Sequence, residues 1–207
     1  MKAKALILAA AGAAVLGGVM IGLSPSAPEA AFAPTTRADA FGVDGLHSAV
    51  VFKVGYMGVA NFYGVFEDVS GEYALDLDNP SASSIDIVVK TESVDSNSAD
   101  RDKHLRGADF FSAKEFPEIR FVGKTFEAAG ENKVKVTGDL TLRGVTQEVT
   151  TVVEWFGGRD DPRGGYRSGW EATFEINRSE FGVNYGIQNG ALGDKTSIVV
   201  AITGLRQ

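Results

Sequence analysis

Asp44, His47 and Ser48 bring the three residue types of a nucleophilic triad within five positions of one another. Triad members are normally assembled in space from separate elements, and neighbours at the start of one strand point in different directions. No Gly-x-Ser-x-Gly elbow accompanies them. Turn hydrogen bonds made by Asp44 and His47 at a strand entrance account for the trio better, and a hydrolase using His47 and Ser48 is the minor alternative. A second cluster, Arg101-Asp102-x-His104-Leu105-Arg106, concentrates charge. On a helix, Arg101 and Leu105 share a face, and Asp102 and Arg106 can pair one turn apart. It is either a solvated helix surface or a place where Arg101, His104 or Arg106 meets the polar end of a ligand. Paired acids for glycoside hydrolysis must project into a cleft. Asp86, Asp139, Glu154, Glu171 and Glu175 instead alternate out of phase with the apolar positions of their segments, which places them on an outer surface. With no cysteine there are no disulfides, thiolate sites or thiol nucleophiles, and His47 and His104 lie too far apart in sequence for helical metal-ligand spacing.

The 207 residues suffice for one domain with a real core. The 25 glycines suit a chain with many turns rather than a helical bundle. Lys2 and Lys4 precede an uncharged run from Ala5 to Leu23, followed by small residues and prolines. This pattern reads as an export signal over residues 1–33, with a linker over 34–40 and the domain over 41–207. Ala31-Phe32-Ala33 has the small-x-small form of a cleavage site but is followed by the unfavourable Pro34, and Ser24-Pro25-Ser26 is a poorer alternative. The rival reading is an uncleaved anchor, because the apolar run could just span a bilayer of ~30 Å. Both place the domain outside the cytoplasm, periplasmic or secreted, where ATP and reduced nicotinamide are not supplied. Without the signal, 18 basic and 26 acidic residues remain, a net charge of -8. Such a surface repels nucleic acid.

From Ala49 onward the hydrophobic period is two. Apolar sets centred on Phe52, Phe62, Leu75, Ile87, Phe121, Val136, Val153, Ala172 and Val200 predict about nine half-buried antiparallel strands. Closure removes exposed edges, so an up-and-down barrel is the first choice and a two-sheet sandwich the second. One stretch breaks the period. Asn97 to Leu105 predicts a helix of about two turns, capped by Asn97 with Asp100 three residues on and ended by Gly107. It leads into Phe110-Phe111, an aromatic pair that must be buried. The glycine-rich Gly182–Lys195 stretch is the one loop long enough to suggest function.

The inward parity carries Phe52, Phe62, Phe66, Phe121, Trp155, Trp170 and Phe174. An eight-stranded barrel is just wide enough to be filled by its side chains or to hold one small ligand, and both readings stay open on the residues alone. If the barrel is hollow, its lumen is apolar. Ten buried methylenes would then supply about 8 kcal/mol before ordering costs, enough for micromolar retention of a hydrocarbon tail.

Six blocks resemble the YceI family of polyisoprenoid-binding, lipocalin-like proteins. They are Asp44-x-x-His47-Ser48 with Val50, Phe52 and Val54; Gly64-x-Phe66 with Ser70-Gly71; Arg101-Asp102-x-His104-Leu105-Arg106 through Asp109-Phe110-Phe111; Phe116-Pro117-x-Ile119-x-Phe121; Gly138 to Thr146; and Asn177-Arg178-Ser179-x-Phe181-Gly182. They occur in family order across the whole domain. The resemblance implies an all-β, extended eight-stranded antiparallel barrel with one short helix and a lid. It also implies a lumen holding a polyisoprenoid or quinone-like lipid, with a membrane as its source or acceptor, and often a homodimer. It implies no catalytic residue, metal or other cofactor. The implied ligand-binding set is Phe52, Phe62, Phe66, Phe110, Phe111, Phe121, Trp155, Trp170 and Phe174 against the tail, with Arg101 and His104 at its polar end. Tyr56 is a departure, standing where many members have a histidine. The alternative is a packed barrel, structural or stress-related, acting through protein partners.

Overall fold

A computed structural model describes residues 39–207, so the export signal, its reading as an anchor and most of the linker lie outside the described residues. Eleven ladder segments form one antiparallel sheet that closes on itself. Three strands are bent into two pieces each, so the segments make eight strands. These are β1 (Ala40–Val43 and Ala49–Tyr56), β2 (Ala60–Phe66 and Val69–Ala74), β3 (Ser84–Lys90 and Val94–Asp95), β4 (Glu118–Ala128), β5 (Lys133–Leu142), β6 (Val145–Asp160), β7 (Tyr166–Asn177) and β8 (Leu192–Arg206). Each pairs with its sequence neighbour, and both pieces of β1 pair with β8, at Val43↔Gly204 and Ala49↔Ala201. The result is the up-and-down barrel expected from the residues, with the eight strands that the resemblance implies. The nine apolar runs become eight strands because the run at Phe62–Phe66 and the run starting at Tyr73 are two halves of β2, bent at Glu67 and Asp68.

Alternation of burial follows alternation of sequence. Along β5, Val134, Val136, Leu140 and Leu142 are buried while their neighbours are half exposed. The outward acids form cross-strand ion pairs: Asp86 with Arg120 (2.5 Å), Asp139 with Lys124 (2.6 Å), Glu154 with Lys133 (3.2 Å) and Glu175 with Lys195 (3.0 Å).

The Asp44–Ser48 trio makes the bend in β1. Asp44 caps the short turn Gly45–His47, accepting from Leu46 N (3.1 Å) and pairing with His47 Nδ1 (2.8 Å). Ser48 Oγ is buried and bridges the bend to β8, donating to Asp44 O (2.9 Å) and accepting from Thr203 N (3.0 Å). The hydroxyl is therefore tied to backbone rather than to His47, as the turn reading expected.

One end of the barrel is closed by aromatic packing. Phe41 stacks on Tyr73 at 5.2 Å, and Trp170 meets Tyr73 edge-on at 5.9 Å. The Tyr73 hydroxyl donates to Ser168 O (3.0 Å), and burial pushes its pKa up to about 12. Helix α1 (Ala99–Leu105) lies on the connection between β3 and β4 at the other end. It starts one residue later than its sequence suggests: Ser98 is the cap residue, with no side-chain cap bond, and Asn97 sits in the left-handed region at φ 61°. Asp102 stabilises this end instead by reaching back to Ser96 N (2.8 Å). Asp102 is thereby taken, and the expected Asp102–Arg106 pair does not form; Arg106 donates to Glu92 O (2.7 Å) and Val94 O (2.8 Å), fastening α1 to β3.

Candidate functional site

The barrel is not filled. A cavity of about 710 Å³ runs along its interior, within the size range of small-molecule sites. Its wall is mostly hydrocarbon and draws on all eight strands, because inward positions carry chiefly Val, Ile, Leu and Phe while most polar residues alternate outward. Glycine sets the bore. Gly64 is the cross-strand neighbour of Phe52, and a Cβ at Gly64 would lie 2.3 Å from Phe52 Cζ. The ring of Phe52 therefore lies over the β2 backbone. Two polar atoms of wall residues, Trp170 Nε1 and Thr196 Oγ1, are buried without a hydrogen-bond partner among the described residues.

Ten of the eleven residues singled out in the sequence meet around this cavity: Phe52, Phe62, Phe66, Phe110, Phe111, Phe121, Trp170, Phe174, Arg101 and His104. Trp155 does not reach it. Its strand parity is inward and it packs against the core, but its indole N–H donates to Gly157 O (2.8 Å) on its own strand. The β6–β7 register also shifts between Ser168 and Trp170, opposite it. The local bond and the bulge hold the ring beside the wall instead of across the bore.

The mouth is built by α1, the β1–β2 hairpin and the 182–192 loop. Phe111 projects from the segment after α1 and meets Phe66 (5.0 Å) and Phe52 (6.0 Å) edge-on. Phe110 turns the other way, packing with His104 (5.0 Å) and Tyr185 (5.2 Å). Arg143 Nη1 holds this segment by donating to Ala108 O (3.0 Å) and Phe110 O (2.8 Å). The paired phenylalanines thus divide between the bore and the rim. The Arg101 guanidinium lies 4.2 Å over the Phe62 ring, and its Nε and Nη2 are held by Ser96 (3.0 and 2.5 Å). Its Nη1 faces no protein acceptor among the described residues. His104 Nε2 is paired with Asp109 (2.8 Å). A fixed, exposed cation at the lip of a hydrocarbon cavity can hold an anionic or carbonyl oxygen while an apolar chain lies below.

One charged residue of the wall, Arg178, is not among the candidates read from the sequence. Arg178 is 5% exposed and donates three hydrogen bonds, to Gly193 O (2.8 Å), Val183 O (3.0 Å) and Tyr185 O (2.8 Å). Next to it, Ser179 N and Oγ bind Asp194 (2.9 and 2.8 Å). Burial lowers the Arg178 pKa from its ordinary value, and the charge of Asp194 opposes that shift. The guanidinium fork replaces a strand ladder for the 182–192 loop. Asn177-Arg178-Ser179 is visible as a motif, but nothing in its residue types says which carbonyls it would collect.

Comparison with known proteins agrees with this architecture. The model of the YceI-like domain matches residues 41–204. The chain belongs to the YceI family. The UPF0312 protein of Ectopseudomonas mendocina (strain ymp) is 36% identical over 163 residues, covering 79% of this chain and 84% of its own length. The crystal structure of Burkholderia cenocepacia BcnA superposes with a TM-score of 0.70 at 24% identity, over 78% of this chain and 98% of that one. A polyisoprenoid-binding domain of Saccharophagus degradans, implicated in plant cell wall breakdown, superposes at 0.61 with 14% identity, over 82% and 99%. Within this YceI barrel, Tyr56 stands at the mouth, half exposed and lining the entrance.

Proposed function

We propose that this protein is a non-enzymatic carrier or sequestering protein, exported from the cytoplasm, that holds one long apolar amphiphile in its barrel. The ligand class is a polyisoprenoid, an isoprenoid quinone or a similar lipid, with its tail in the cavity and its polar end beside Arg101. The membrane is the source or the acceptor of that lipid, and the protein works as a monomer or a homodimer. The observation that carries the reading is the continuous hydrocarbon-walled cavity of about 710 Å³. Apolar burial at roughly 25 cal/mol per Å² is enough to retain such a tail without a polar contact inside the bore. The polyisoprenoid-binding neighbour of the same fold is consistent with it.

A carrier also fits the engagement of the polar groups. His47 is tied to Asp44 and Ser48 to the backbone of the β1 bend, so neither is available as a base–nucleophile pair. The packed-barrel alternative requires a filled interior, and the cavity counts against it.

The experiment is purification from the native host, extraction with organic solvent and mass spectrometry of the extract. About one isoprenoid amphiphile per chain is expected. An extract without any lipid, from protein that also fails to take up an added polyprenol, overturns the proposal.

A further inference from the structure

A water-insoluble lipid must enter and leave the cavity without crossing bulk water. The rim of the mouth has an unusual composition for this. The β1–β2 hairpin turns at Met57 and Gly58, both in the left-handed region (φ 51° and 70°), with Val59 N donating to Tyr56 O (3.1 Å). Such a two-residue turn favours Asn-Gly or Asp-Gly, because Cβ crowds the backbone at positive φ and only Gly, or the locally hydrogen-bonding Asn and Asp, takes that conformation readily. Here an exposed methionine occupies the strained position. Val59 is 84% exposed, Met57 59% and Tyr56 48%, and Tyr185 on the facing loop is 49% exposed. Met57 and Val59 line no part of the cavity and belong to no core cluster.

Charge is also missing where it would be expected. The chain carries 23% charged residues and a net charge of -7, yet residues 54–66 and 181–193 contain no Asp, Glu, Lys, Arg or His. These two stretches are joined into one surface by Met57 N donating to Ala191 O (3.0 Å) and by the pairing of Tyr56 with Leu192. Tyr56, Ala60, Tyr185 and Leu192 also line the cavity, so this uncharged side of the rim is continuous with the hydrocarbon bore.

We infer that the Tyr56–Val59 hairpin tip, with the 182–192 loop beside it, is a membrane-docking surface that seats the mouth of the barrel on a lipid bilayer. This rests on the carrier reading above and names the surface through which the cargo passes. The exposed side chains of the tip are too few to supply the ~800 Å² per partner of a stable protein pair. A bilayer needs no complementary shape, only apolar side chains that can enter it. Because the hairpin tip and the facing loop carry no charge, docking through them depends little on anionic lipid or on salt.

The test uses the purified, exported protein with vesicles of phosphatidylcholine and a fluorescent polyprenol. The variants are Met57→Asn and Val59→Asn, neither of which touches the cavity wall. Asn is at home at positive φ, so Met57→Asn is expected to melt at or above the wild-type temperature. The rate of polyprenol transfer between donor and acceptor vesicles falls about tenfold or more in the double variant, equivalent to roughly 1.4 kcal/mol of docking free energy. Equilibrium loading stays within about twofold, and the wild-type rate is insensitive to salt. Equal transfer rates in wild type and double variant overturn the inference. So does a change from dimer to monomer in sedimentation with transfer unaffected, which makes the tip a self-association surface. Failure of the wild type to load polyprenol even from solvent strikes at the carrier reading instead, and flotation of the unloaded protein with the same vesicles, lost in the double variant, still decides the docking surface.

Discussion

The Phe52 ring occupies the space above Gly64 that any other residue's Cβ would need, with 2.3 Å between that Cβ position and Phe52 Cζ. The two are direct cross-strand partners on β1 and β2, and Phe66 packs against the same ring at 5.6 Å. A Gly64→Ala substitution must push Phe52 toward the bore. The expected result is a destabilisation of about 1–3 kcal/mol, as for overpacking of a tight core, together with reduced polyprenol capacity. Thermal melting and titration with a fluorescent polyprenol check both. Phe52→Leu in the Gly64→Ala background restores part of the stability, since the clashing ring is gone.

Arg178 replaces a ladder by hydrogen bonds to Val183 O and Tyr185 O in the 182–192 loop and to Gly193 O at the start of β8. Arg178→Met keeps much of the volume but leaves three carbonyls without their donor, at about 1–3 kcal/mol for each group that water does not reach. Arg178→Lys rescues little, because an ammonium cannot reproduce the fork. Hydrogen exchange should accelerate selectively at residues 183–192 in both variants, with the β3–β5 amides unchanged at equal global stability.

The barrel was legible because alternation of apolar and polar residues persists through nearly every strand, and inward parity found the aromatic wall. Parity says which face a residue occupies but not at what level. Trp155 therefore had the right face, yet its bond to Gly157 O and the bulge opposite keep it out of the cavity. The break at Glu67 and Asp68 reads like any other turn in sequence. Only the register, in which Phe66 pairs with Val50 and Tyr73 with Phe41, shows one bent strand. The sequence points to Asn97 as the cap of α1 because it has the right chemistry, whereas Ser98 takes that place and Asp102 holds the end by accepting from Ser96 N. The hollow interior is a sum over many packing distances, and no single residue announces it.

Arg101 is the one exposed cation held over the bore among the residues singled out, stacked on Phe62 and fixed by Ser96. Arg101→Met retains contact with Phe62 and removes the charge. Affinity for a polyprenyl phosphate is expected to drop about tenfold, in line with the roughly 1.5–3 kcal/mol of a hydrogen bond to a charged group. Affinity for the corresponding hydrocarbon should change by less than about twofold. Parallel titrations with the two ligands measure the difference, and equal losses for both would reassign Arg101 to shaping the mouth.

At the opposite end, Arg167 joins the carboxylates of Asp44 and Asp161, whose side chains are 12% and 6% exposed. Hydrogen bonds from Arg167 are the leading reason that both carboxyls lie below their ordinary 3.8. The unfolded chain therefore binds protons at these sites before the folded protein does. Their stabilisation is complete above that ordinary value and is lost as pH falls through the lower folded values. Arg167→Met is expected to lower the melting temperature most near neutral pH, and the gap to wild type should close progressively below about pH 4, where the unfolded carboxyls titrate. Melting curves of the two proteins across that range provide the measurement. A gap that stays constant down to the acid limit would mean that Arg167 stabilises the closed end through its packing and not through charge.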